Sequence, residues 1–202
     1  MGERKMTRDI WLTALILVAL ILLASPMRGK QNGITAQTGE KGKSALRRIY
    51  DEDQKDRTGT EISGDGKRRE QVRQLIGEGK VQSGEDYYYA AFIFQHGQTP
   101  PDYLYAHVLA VTAVSKGFNS GIWLCAATLD RYLQSIKQPQ VFGTQFGSVG
   151  DGPTTQDPYD KEMLSDRLRA TWCVVSSATQ SQILDDVRAG KEFRSTRTCS
   201  AN

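Results

Sequence analysis

TPPDYLYAHVLAVTAVSKGFNSGIWLCAATLDRYLQSIK, from Thr99 to Lys137, decides the fold. Its first half opens as a helix does. Thr99 fits an N-cap, and Pro100 and Pro101 fit a first turn where their missing N–H groups cost nothing. Asp102 stands at N3, where an acid meets the positive end of the helix dipole. Leu104, Val108, Val111, Ala113 and Val114 predict the buried stripe, and Gly117 the stop. After a short turn, Asn119 or Ser120 caps a second helix. There Trp123, Ala126, Ala127, Leu129 and Leu133 face inward, with Asp130 between them. Helices joined this tightly fold back on each other.

The same reading extends upstream. "GEDYYYAAFIFQHG" (84–97) is helical, with Tyr88, Ala91, Phe92 and Gln95 on one face. Its aromatics would suit a strand, but the Ala pair and the flanking helices favour helix. Ser44 caps "ALRRIYDEDQKDR" (45–57), which turns Leu46, Ile49 and Tyr50 inward. "KRREQVRQLIGEGK" (67–80) buries Val72, Leu75 and Ile76 and stops at Gly77 and Gly79. The fold class is therefore mainly α, an antiparallel helical bundle or helical-hairpin array. The Ala-rich helix pairs look like a degenerate tetratricopeptide or Sel1-type unit, yet no second copy recurs at a fixed period.

Downstream stands "QPQVFGTQF" (138–146), uncharged and bracketed by a helix and a Gly/Pro/Asp loop. Val141 and Phe142 suit extended backbone and Gly143 permits a bend. The segment is expected to fold back over the bundle on Phe142 and Phe146, with Gln145 meeting backbone or a ligand. Asp160 would cap a helix in "KEMLSDRLRA", and "TWCVVSSATQ" would hold a brief extended piece. "SQILDDVRAG" reads as a last helix ended by Gly190, before a mobile polar tail, 191–202.

The N-terminus carries a localisation signal. Arg4, Lys5 and Arg8 (within 1–9) precede an uncharged apolar stretch, 10–27. Its strongly apolar part is shorter than a full span of about 20 residues. Pro26 follows the small residues Ala24 and Ser25, which disfavours cleavage there. The reading is an uncleaved signal-anchor in the inner membrane, single-pass, with the C-terminal domain extracytoplasmic. The alternative is a secreted or periplasmic protein after cleavage. A flexible Gly-rich linker, 28–44, leads to a helical domain, 45–190. Residues 28–80 hold 13 Lys/Arg against 9 Asp/Glu, and residues 81–202 hold 10 against 12. A basic stretch beside the apolar segment could touch anionic lipid, but with the acids interleaved it reads as a solvated linker, and it is too sparse for a nucleic-acid stripe.

Three cysteines, Cys125, Cys173 and Cys199, form no CxxC and give an odd count. Cys125 reads as a buried small hydrophobe, and one bridge is open to an exported chain with its pairing unreadable. No P-loop, GxGxxG with an acidic partner, or GxSxG is present. No cofactor is implied. Two histidines without HExxH do not make a metal site. His107 reads as a satisfied helix-face residue. Asp53 and Arg57 can pair at i,i+4 on the surface, or join Gln54 in a cluster facing Gln95–His96 and Asp130–Arg131. An inward Asp130 needs a donor, from Arg57, Thr144 or Gln145.

Several pieces, in order, resemble a family of uncharacterised bacterial proteins, a domain of unknown function. They are "DEDQKDR" (51–57), "FIFQHG" (92–97), "TLDRYLQSIKQPQVFGTQF" (128–146) and "LSDRLRA" (164–170). The family pattern looks like DQxxR, a QH pair, then LTDR and GxPQxYGTQF. Here Leu129, Gln138 and Phe142 replace its Thr, Gly and Tyr. The resemblance implies no activity. The function expected from the residues is a non-enzymatic, membrane-anchored module binding a protein or peptide. Its candidate ligand residues are His96, Asp130, Arg131, Thr144 and Gln145. The rival is a hydrolase-like enzyme using His96 with Asp130, and a third reading is a structural envelope protein.

Overall fold

The computed structural model describes residues 43–58, 63–148 and 151–199. Among them the chain forms seven α-helices: α1 (Ala45–Arg57), α2 (Asp65–Gly77), α3 (Gly84–Gln95), α4 (Pro100–Ser115), α5 (Ile122–Ser135), α6 (Asp166–Thr171) and α7 (Ser177–Arg188). No strand forms among the described residues; extended pairing is limited to isolated bridges such as Gln140 with Tyr159 and Val174 with Arg197. The chain is thus mainly helical, a bundle. Residues 10–27, expected to anchor the chain, lie outside the described residues, as do 1–9 and most of the linker. No helix among the described residues is long and apolar enough to cross a membrane.

Hydroxyl caps start most of the helices. Ser44, Ser83, Thr99, Ser165 and Ser176 each accept a hydrogen bond from the backbone N–H three residues on, satisfying a donor that the helix itself cannot. Helix α3 is the hub. Helices α1 and α2 pack on it, α4 runs against it, and α5 packs on α4. Leu46, Val72, Ile93, Phe94, Ala110 and Leu124 fill the shared core.

Three sequence expectations need correction. Leu104, Val108 and Val111 of α4 are exposed at 41%, 51% and 45%, and the buried face is Asp102, Ala106, Leu109, Ala110 and Ala113. The helix is apolar around most of its circumference, so periodicity could not choose the face. Packing chose the small residues, which let neighbouring helices approach closely. Helix α5 begins without a side-chain cap, behind a 3-10 turn at Asn119–Gly121. Asp160 does not cap α6; it accepts from the N–H groups of Glu162 and Met163 in a turn, and Ser165 takes the cap.

The segment expected to be a mobile tail from Lys191 is tied down through Cys199. Cys173 and Cys199 form a disulfide with Cα atoms 5.1 Å apart. Val175 N–H donates to Thr196 O, and Thr198 N–H to Cys173 O. Thr196 is 1% exposed and Phe193 packs on Phe146. Cys125 is the buried free thiol, pushed up to about 12 by burial.

Candidate functional site

The GTQF segment follows α5 and returns along it, held by side chains in place of a neighbouring strand. Asp130, 0% exposed, points from α5 into the segment. Its Oδ1 accepts from the N–H groups of Val141 (2.8 Å) and Phe142 (2.9 Å). Its Oδ2 accepts from Thr144 N–H (2.9 Å) and Thr144 Oγ1 (2.8 Å). Burial pushes the Asp130 carboxyl above its ordinary value, while these four donors pull the other way. Of the three donors expected for Asp130, Thr144 is the one used. Gln145 and Arg57 bond elsewhere.

Four buried polar residues that sequence reasoning did not single out complete the clasp. Gln140 acts as a splint: its Oε1 accepts from Gln145 N–H, and its Nε2 donates to Gln145 O and Gln156 O. Gln156 Nε2 donates to Gly143 O. Phe142 O accepts from both Arg169 Nη1 and Gln180 Nε2. Gln180 Oε1 in turn accepts from Tyr159 O–H. Gly143 has φ +71°, and a Cβ there would lie 2.5 Å from the Tyr159 ring and 2.7 Å from Gln180 Oε1. Only glycine meets both conditions.

A second polar network joins the N-terminal helices. Asp53, 1% exposed, receives Arg57 (2.9 Å), Gln54 Nε2 (2.9 Å) and the His96 ring Nδ1 (2.8 Å). Arg57 and Arg68 both reach Asp65. Asp53 is therefore buried and Arg57 half-buried, and the pair faces the C-terminal end of α3. His96 caps that helix and pairs with Asp53 rather than with Asp130. The two residues that an acid/base enzyme would combine thus belong to separate networks. His107 hydrogen-bonds Cys125 O at 3.0 Å, and burial pulls its imidazole below the usual value.

Arg131 bridges the two regions. Its Nε donates to Gln145 Oε1 (2.9 Å), and its Nη1 donates to the backbone O of Gln95 (2.9 Å). Gln145 Nε2 donates to Ala127 O and Thr144 Oγ1. Burial pulls the Arg131 guanidinium below its usual value, and no described carboxylate pairs with it. Beside it opens a cavity of about 500 Å³, a volume in the range of small-ligand sites. Gln95, Arg131 and Gln145 supply polar lining, while Trp123, Phe146 and Phe193 supply aromatic walls. Thr144 also lines it; His96 and Asp130 do not. Three of the five expected ligand residues therefore meet at one cavity. The aromatic wall from Phe193 was hidden by the polar tail around it. Among the described residues no group of three His, Cys, Asp or Glu side chains could hold a metal ion.

No protein-family model matches the chain, and no curated protein or solved structure is detectably similar to it.

Proposed function

We infer that residues 45–190, with the tail closed against them, form a non-enzymatic module that binds a protein or peptide partner outside the cytoplasm. Residues 10–27 would anchor it in the inner membrane as a single pass. The observation that carries the reading is the cavity beside Arg131. It joins aromatic walls to fixed polar groups, the usual make-up of a recognition site. Helix α3 contributes Gln95 to it, and α5 contributes Trp123 and Arg131. The Cys173–Cys199 bridge fits an oxidising compartment, in keeping with an exported domain. The hydrolase alternative loses support because Asp130 is consumed by four structural donors and His96 by Asp53.

The test is a thermal-shift screen of the full-length chain against a short-peptide panel. A ligand at a hundred times its Kd adds about 2.7 kcal/mol, a rise of about 5–10 °C for a chain of this size. Phe193→Ala, which removes a half-exposed aromatic wall of the cavity, is expected to reduce that rise. A panel that gives no shift, together with peptide hydrolysis lost in His96→Gln, would overturn the binding-module reading.

A further inference from the structure

The cavity contains an imbalance that narrows its ligand. A guanidinium has five N–H donors. In Arg131 one is spent on Gln145 Oε1 and one on Gln95 O. These two bonds hold the plane of the group at two corners and leave the remaining donors without a protein acceptor among the described residues. No described salt bridge includes Arg131, although every other described arginine lining a buried network has its acid: Arg57 and Arg68 share Asp65, and Arg69 and Arg73 share Asp102. Arg131 is half-buried and lines the cavity, so an anion entering there meets a cation that no described carboxylate neutralises and can take its remaining donors as charge-assisted hydrogen bonds.

A second observation is independent of the charge. Trp123, Phe146 and Phe193 wall the same cavity, so an apolar or aromatic surface stands beside the cation. The remaining lining has no other charged residue. One cation balances one carboxylate, whereas a phosphate dianion would bring an unmatched charge into an aromatic-walled site.

Resting on the binding-module reading and naming its ligand class, we propose that the cavity binds a carboxylate that carries an apolar or aromatic group. The carboxylate takes the free edge of Arg131, and the apolar group lies among Trp123, Phe146 and Phe193. A peptide C-terminus and a small free acid share this chemistry.

The test is calorimetric titration of the full-length chain with matched probes. N-acetylphenylalanine is compared with N-acetylphenylalaninamide, which keeps shape and removes the charge. Acid binding at least tenfold tighter than amide binding, with the difference lost in Arg131→Gln, is the expected result. Arg131→Lys, which keeps charge but not the fork, is expected to recover part of it. Phenyllactate and a tetrapeptide ending in phenylalanine separate the two sources: tight binding by phenyllactate alone assigns a free acid, and binding by both assigns a site open to chain ends. Equal binding of acid and amide overturns the carboxylate assignment and leaves the binding module standing. Tighter binding of phenyl phosphate than of the acid also overturns it. No binding by any probe, the amide included, overturns both readings. The acid–amide comparison on the native chain needs no variant, so a misfolded Arg131→Gln does not blunt it.

Discussion

Asp130 does for the GTQF segment what an adjacent strand would otherwise do. The N–H groups of Val141, Phe142 and Thr144 have no ladder to join, and one carboxylate takes all three together with the Thr144 hydroxyl. A buried charge is tolerable only when so fully satisfied. Asp130→Asn keeps the shape but turns one acceptor oxygen into a donor that faces donors. The expected loss is about 3–5 kcal/mol, the scale for breaking a buried charged arrangement. Thr144→Val removes one donor and is expected to cost less, about 1–3 kcal/mol. Gly143→Ala must bear the left-handed backbone, about 1–2 kcal/mol, and a close approach to the Tyr159 ring as well. Urea denaturation orders the three variants; an Asp130→Asn midpoint at the wild-type position would end the clasp account.

At the scale of elements, helix α4 shows where local pattern stops informing. Its ends were legible, because Thr99, Pro100, Pro101 and Asp102 have chemistry that belongs only at a helix start. Its buried face was not, because Val108 and Ala110 are both apolar and only packing separates them. Ala110 is fully buried and Val108 is half-exposed. Ala110→Leu is therefore expected to cost about 1–3 kcal/mol by overpacking, and Val108→Ser to stay within about 0.5 kcal/mol. Comparable losses at both sites, measured by thermal melts, would reverse the assignment of faces. The same division explains the site. Asp130, Arg131, Thr144 and Gln145 were legible because charge next to an apolar helical face, or an uncharged polar pair after Gly143, demands an explanation. Gln140, Gln156, Arg169 and Gln180 were not, because a glutamine or arginine in a polar stretch is ordinarily solvated. Only the tertiary contact with the 142–145 backbone buries them.

At the scale of the described fold, two long-range devices hold parts that apolar burial alone would leave loose. The Cys173–Cys199 bridge spans 26 residues and holds the Phe193–Thr196 wall of the cavity in place. Closing a loop of that length is worth about 3 kcal/mol, so reduction should lower the melting temperature and weaken any ligand binding together. The ion network around Asp53 joins α1, α2 and α3, and it makes stability depend on pH. Burial acts to raise the Asp53 carboxyl, but hydrogen bonds and charge from His96 and Arg57 outweigh it and hold the group below its ordinary 3.8. Asp65, with Arg57 and Arg68, and Asp102, with Thr99 and Arg69, are lowered against burial in the same way. A carboxylate lowered by folding stabilises the fold fully above its unfolded value, and that stabilisation is lost as pH falls through the folded value. Asp130 is raised and so opposes this slope as pH climbs past the ordinary carboxylate value, but Asp53→Asn leaves its contribution in place. The variant should therefore be less stable than wild type at pH 7, by about 1.5–3 kcal/mol for the hydrogen bonds that the charged carboxylate loses, since Arg57 keeps Asp65. It should also lose less on going from pH 5 to pH 3, so that the two stability curves converge in acid. Denaturant unfolding across that window reads the difference directly; curves that stay parallel would mean that Asp53 carries no charge-dependent stabilisation.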